Sequence, residues 1–273
     1  MIIELDYVLG CFLSRWFRHP VAGKMLFKGG TCLRKCYFPD YRFSEDVDIT
    51  AEGELDARQV SEAIGRVAQE IENAVGVDMM AQPPRIETVD ADPSSLYVEA
   101  RLYFRGPLQR TGWPQGIRID ISTGERLVFA GVRRQLNHPY SDAAAIGAGE
   151  VRLPCYDLRE ALLEKLRGLS GQRRFAIARD LYHVNELLHR AGLRLDEVIP
   201  HVYAKFAVKG IELSPQVIDE LMARRDEFEN DWSRNLERLV SGDRRVAFGE
   251  AWGTAVRAVS ALVERSPGRG GRE

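Results

Sequence analysis

The sequence predicts an α/β (α+β) chain, with a mixed-sheet domain over residues 1–150 followed by a helical domain over residues 151–265. Two kinds of periodicity and their order along the chain carry that reading. Leu96, Val98, Ala100, Leu102 and Phe104 alternate with Tyr97, Glu99, Arg101, Tyr103 and Arg105, and Ile117, Ile119 and Ile121 alternate with Arg118, Asp120 and Ser122. A period of two is the signature of half-buried strands. Val60, Ile64, Val67, Ile71 and Val75 recur at helical spacing behind a candidate cap at Asp56, so a helix is expected over residues 55–75. From Asp157 onward only helical signals follow.

The individual elements are justified in chain order. Gln82-Pro83-Pro84 and Gly106-Pro107 are expected to punctuate the strands. Asp157, with Glu160 three residues later, reads as a capping box opening a helix whose apolar face is Leu158, Leu162, Leu166 and Leu169. Ser214-Pro215 supplies an N-cap and first-turn proline for a helix through Leu221, Phe228, Trp232 and Leu239. The Gly- and Arg-rich end, residues 266–273, reads as a disordered tail.

Chemistry concentrates in Lys28-Gly29-Gly30-Thr31 and Arg42-Phe43-Ser44-Glu45-Asp46-Val47-Asp48-Ile49. On a strand, Ser44, Asp46 and Asp48 share one face while Val47 and Ile49 point to a core. Two adjacent carboxylates repel unless a divalent cation sits between them, and Asp-x-Asp is a sensible partial ligand set for Mg²⁺ (or Mn²⁺). Glycines without Cβ atoms let backbone amides approach a phosphate, and Thr31 adds a hydroxyl donor. Each piece alone is common in acidic loops and ordinary turns; their combination points to a site for a nucleotide and its metal ions.

Phe27-Lys28-Gly29-Gly30-Thr31-Cys32-Leu33-Arg34-Lys35-Cys36-Tyr37 followed by Arg42-Phe43-Ser44-Glu45-Asp46-Val47-Asp48-Ile49 resembles the AbiEii/AbiGii toxin family, a branch of the DNA polymerase β-like nucleotidyltransferases. The resemblance implies a nucleotidyltransferase-fold domain and a third carboxylate on a neighbouring strand, for which Asp120 is the candidate beside the plainer reading of an edge-strand residue. By the same resemblance Asp46, Asp48 and Asp120 are metal ligands and catalytic. Gly29, Gly30, Thr31, Arg42 and Ser44 would bind the nucleotide, Lys165 would contact the triphosphate, and Asp180 would orient Lys165 or the nucleotide. The nucleotide would lie in the cleft between the two domains. Relatives continue Arg-Asp-Leu-Tyr-Asp where this chain has His183, which is expected on a helix surface.

The implied activity is transfer of a nucleoside monophosphate from an NTP to a hydroxyl. The first candidate acceptor is the tRNA 3′ end, in a toxin restrained by a cognate antitoxin, within toxin–antitoxin or phage-defence systems. Protein nucleotidylation and an inactive nucleotide-binding regulator are the alternatives. Arg159, Lys165, Arg167, Arg173, Arg174 and Arg179 crowd one stretch, and Arg173 with Arg174 are the candidate RNA contacts; a merely solvated helix face is the other reading. A net charge of −2 argues against indiscriminate binding of nucleic acid over the whole surface and leaves room for a local basic groove. No apolar run approaches the roughly 18 residues of a membrane span, and no signal-peptide pattern opens the chain. Cys11, Cys32, Cys36 and Cys155 form no Cys-x-x-Cys pair and have no His cluster, so they are expected as reduced thiols of a cytoplasmic protein and not as a zinc site.

Overall fold

The computed structural model of the protein describes residues 2–92 and 95–265. The disorder expected for residues 266–273 lies outside the described residues. The chain divides into two compact units, Met1–Glu125 with Gly131–Tyr156, and Arg126–Ala130 with Asp157–Glu273.

The first unit is a seven-stranded mixed sheet with helices on its apolar face. In chain order it contains α1 (Ile2–Trp16), β1 (Met25–Lys28), the short α2 (Gly29–Cys32) and a π-helical turn (Leu33–Tyr37). Then come β2 (Asp46–Ala51), α3 (Ala57–Val75), β3 (Asp78–Asp92), β4 (Ser95–Arg105), β5 (Gln115–Ser122), β6 (Val132–Gln135) and β7 (Arg152–Cys155). The strand order is β3-β4-β5-β2-β1-β7-β6. β2 runs parallel to β5 and β1 parallel to β7, and the remaining pairs are antiparallel. Val47, Ile49, Val98, Ala100, Leu102, Ile117, Ile119 and Ile121 are all fully buried under α1 and α3, so the alternation in the sequence does specify one core face. Asp56 caps α3 by accepting from the amides of Arg58 and Gln59, and Gly76 ends it in the left-handed conformation.

The second unit is helical: α4 (Leu158–Arg167), α5 (Ala178–His189), α6 (Val202–Ala207), α7 (Pro215–Ala223), α8 (Arg225–Asp231) and α9 (Phe248–Arg265). Asp157 caps α4 through the Arg159 amide at 2.9 Å. Glu160 does not complete a capping box. Its buried carboxylate instead accepts from the amides of Val128 and Phe129, at 3.0 and 2.9 Å, and pairs with Lys205 at 2.7 Å. That is how residues 126–130 are held within this unit.

Three further expectations are corrected. Pro83 and Pro84 do not end a strand; they sit inside β3, where the register with β4 shifts between Gln82 and Arg85, an irregularity that tolerates residues without an N–H. The single helix expected from Pro215 to Leu239 breaks at Arg224 and loosens into a π-helical turn at Trp232–Leu236, although Leu221, Phe228, Trp232 and Leu239 are all buried as the spacing implied. His183 is buried in α5, not exposed on a helix surface. Among the described residues no helix is long and apolar enough to cross a membrane.

Candidate active site

The site in the first unit begins where β1 hands over to α2. Gly29 has φ +78°, a conformation that costs an L-residue roughly 1–2 kcal/mol. A Cβ there would collide with the carboxylate of Asp48, so the glycine is what lets that side chain lie against the backbone turn. Gly30 makes room in the same way at the next position: a Cβ would strike the Arg42 guanidinium and come within 3.1 Å of Ser44 Oγ. Thr31 donates its hydroxyl to the backbone carbonyl of Asp46. Arg42 is buried and donates to the Phe43 carbonyl at 2.8 Å. Gly29, Gly30, Thr31, Arg42, Ser44, Asp46 and Asp48 are therefore brought together around one turn.

Asp120 joins them through the sheet. In the parallel β2–β5 pair Asp46 stands opposite Arg118 and Asp48 opposite Asp120. The antiparallel β4–β5 pair sets Glu99 opposite Asp120 and Arg101 opposite Arg118, and β3 adds Glu87 beside Glu99 and Arg85 beside Arg101. One row across the sheet thus reads Glu87, Glu99, Asp120, Asp48, and the next reads Arg85, Arg101, Arg118, Asp46. Arg118 bridges the carboxylates, 2.8 Å from Asp120 and 3.7 Å from Asp46. The Asp120 carboxyl is held above the usual carboxylate range, first by burial and then by the charges of Asp48 and Glu99, against the opposing effects of the Tyr97 hydroxyl and Arg118. Its Oδ1 is buried with no hydrogen-bond partner. Asp46, Asp48 and Asp120 on one face of adjoining strands supply the oxygen donors that a hard cation selects, so these residues fit Mg²⁺ or Mn²⁺ chemically.

In the second unit Lys165 and Arg173 converge on the buried Asp180, at 3.4 and 2.9 Å, and Glu164 lies 3.9 Å from Lys165. Gly168 makes room for this group, because a Cβ there would sit 3.0 Å from Asp180 Oδ2 and 3.1 Å from Arg173 Nε. The basic stretch is not a uniform surface. Arg159 is clamped on Asp157, Arg167 is buried with its guanidinium on the Lys205 carbonyl, and Arg173 is committed to Asp180. Arg174 is exposed beside the equally exposed Phe175, and Arg224 anchors the loop by donating to the carbonyls of Arg173 and Arg174.

The family model for the nucleotidyl transferase AbiEii toxin, a type IV toxin–antitoxin system, matches residues 11–258. The chain belongs to the AbiEii family. It is a nucleotidyltransferase of the toxin type, and the family implies a nucleotide substrate and an antitoxin partner. Its fold resembles a candidate nucleotidyltransferase from Helicobacter pylori, with a TM-score of 0.57 at 14% identity, covering 96% of this chain and 95% of that one. It also resembles JHP933 from Helicobacter pylori, with a TM-score of 0.54 at 13% identity, covering 96% and 93%. No curated protein matches the sequence.

Tyr97 and Glu99 are not among the site residues expected from the sequence of this AbiEii family member. Their signal is their place on the polar side of the β4 alternation, which becomes informative only once the β4–β5 register is known. Gly29→Ala is expected to destabilise the fold by about 1–2 kcal/mol and to displace Asp48. Loss of transfer activity at temperatures well below the variant's Tm checks that effect, and an active Gly29→Ala enzyme overturns the packing argument.

Proposed function

We propose that this AbiEii nucleotidyltransferase moves a nucleoside monophosphate from an NTP to a hydroxyl of RNA, with the tRNA 3′ end as acceptor, and so blocks aminoacylation and translation. The observation that carries the reading is the packing of Asp48 against Gly29 with Asp120 beside it in register, which joins a glycine turn to a carboxylate face. The acceptor oxygen would attack the α-phosphorus, the bond to the β-phosphate oxygen would break, and pyrophosphate would leave. Asp46, Asp48 and Asp120 would hold Mg²⁺ or Mn²⁺. Bound there, such an ion supplies positive charge for the phosphate oxygens and lowers the pKa of the attacking hydroxyl.

The protein's own groups would do the rest. Asp120, in register with Asp48 and paired with Arg118, would help activate the acceptor hydroxyl, whose proton passes to solvent. The Gly29-Gly30-Thr31 turn would seat phosphate oxygens, with Arg42 and Ser44 beside it. In the helical unit Asp180 would hold the Lys165 ammonium in place for an anionic group. Arg174 with Phe175 offers a cation beside an exposed ring, the combination that stacks and neutralises single-stranded RNA; this supports RNA over a protein acceptor.

The test is incubation of the purified chain with each labelled NTP, Mg²⁺ and total tRNA. Label on tRNA supports the reading, label on protein favours nucleotidylation of Ser, Thr or Tyr, and binding without transfer overturns both. Reversing the exposed Arg174 to Glu is expected to lower tRNA labelling by about tenfold at low salt, with the deficit narrowing as salt rises, because the parent chain has the more salt-sensitive contact to lose.

A further inference from the structure

The sequence is read as carrying reduced thiols and no zinc site, yet the thiols of Cys32, Cys36 and Cys155 lie within 4.8 Å of one another, and none is in a disulfide. Cys32 closes α2 and Cys36 follows four residues on, so one helical face presents both. Cys155 comes from β7, where it stands opposite Phe27 of β1. Cys32 and Cys155 are buried, whereas Cys36 is half-buried and lines a cavity of about 410 Å³ with Tyr37, Gln135 and His138.

We propose that Cys32, Cys36 and Cys155 form a binding site for a soft d¹⁰ cation of the Zn²⁺ or Cu⁺ class, which ties the start of α2 to β7. Three convergent sulfurs are the donor set such ions select, and Mg²⁺, which prefers oxygen, would leave them alone. Metal–sulfur bonds of about 2.3 Å around a tetrahedral ion put the sulfurs roughly 3.8 Å apart, so closure from within 4.8 Å asks only for small side-chain rotations. The cavity beside Cys36 supplies an entry path and room for a water in the fourth position. Arg134 lies over the Tyr37 ring at 4.7 Å and acts electrostatically on the Cys36 sulfur. Its positive charge offsets part of the negative charge left by three thiolates around one ion. Binding replaces each S–H bond by an S–metal bond and releases the protons to solvent; nothing is oxidised or reduced.

The site is independent of the reading of the acceptor, because its donors lie behind the Gly29-Gly30 turn and not on the carboxylate face. The test uses the full chain, reduced with a phosphine, titrated with Zn²⁺ and with Cd²⁺. One ion per chain is expected, with an ultraviolet thiolate-to-cadmium charge-transfer band, protection of three thiols from a thiol-counting reagent, and a rise in Tm. Cys36→Ser is expected to weaken binding by at least about tenfold, as is Cys155→Ser, whereas Cys11→Ser leaves it unchanged. A chain that binds no ion, or binds equally well after Cys36→Ser and Cys155→Ser, overturns the proposal. If Cys155→Ser does not fold, the wild-type thiol count decides, and protection of fewer than three thiols by one ion also overturns it.

Discussion

Asp48→Ala is expected to lower nucleotide transfer on the order of 10³-fold or more while leaving the fold intact. The size of the loss follows from what the carboxylate faces: it packs on the Gly29 turn and stands in register with Asp120. The chemistry asks little covalent help of the protein, so the rate depends on charge placed where phosphate oxygens collect. The fold is expected to survive for a reason of its own. Asp48 is half-buried and is one of the charges that push up the Asp120 carboxyl, so its removal relieves some repulsion on that face. Initial rates with labelled NTP, beside thermal melts, separate the two effects. Undiminished turnover in Asp48→Ala would end the assignment of this face as the active site; a collapse of Tm would mean the residue serves the fold.

Much of that face is legible in the amino-acid sequence, because a strand's period of two fixes which residues share a side. Val47 with Ile49, and Ile117 with Ile119 and Ile121, are buried, and Asp46, Asp48, Arg118 and Asp120 lie on the other side. What alternation does not encode is which strand neighbours which. The placement of Glu99 beside Asp120 comes from β4–β5 register, and the meeting of Cys155 with Cys32 and Cys36 comes from the parallel pairing of β7 with β1. Cysteine spacing along the chain says nothing about a ligand delivered by a distant strand. Local capping rules also misjudge Glu160: its spacing from Asp157 fits a capping box, yet Lys205 and two backbone amides compete for the carboxylate and win it. The opening helix α1 escapes a periodicity reading because it is apolar on nearly every side, leaving no polar face to show a helical period.

That helix carries the residue whose loss should cost the fold most. Asp6→Ala is expected to reduce the free energy of unfolding by about 3–5 kcal/mol, read from urea denaturation at neutral pH. Asp6 accepts from Lys35 at 2.7 Å, from Arg34 at 2.8 Å and from the Tyr140 hydroxyl at 2.9 Å. Asp6 and Lys35 are each almost fully buried, so the variant strands an ammonium among apolar neighbours. Asp6→Ala combined with Lys35→Met should therefore recover most of the loss, an outcome that simple cavity formation would not give. The pH dependence has a fixed sign. Burial alone would raise the Asp6 carboxyl, but Lys35 and Arg34 outweigh it and hold the group below its usual range. Its stabilisation is then complete above the unfolded value near 4 and is lost as pH falls through the lower folded value. Burial depresses Lys35, and Asp6 is the main influence raising it again. Without Asp6 the Lys35 penalty grows at neutral pH and is relieved as pH climbs toward the unfolded lysine value near 10.4, so Asp6→Ala should regain stability on the alkaline side where the parent chain gains less. Activity should fall with stability, since Arg34 also donates to the Tyr41 carbonyl and lies 3.8 Å over the Phe43 ring, holding the residues on either side of Arg42.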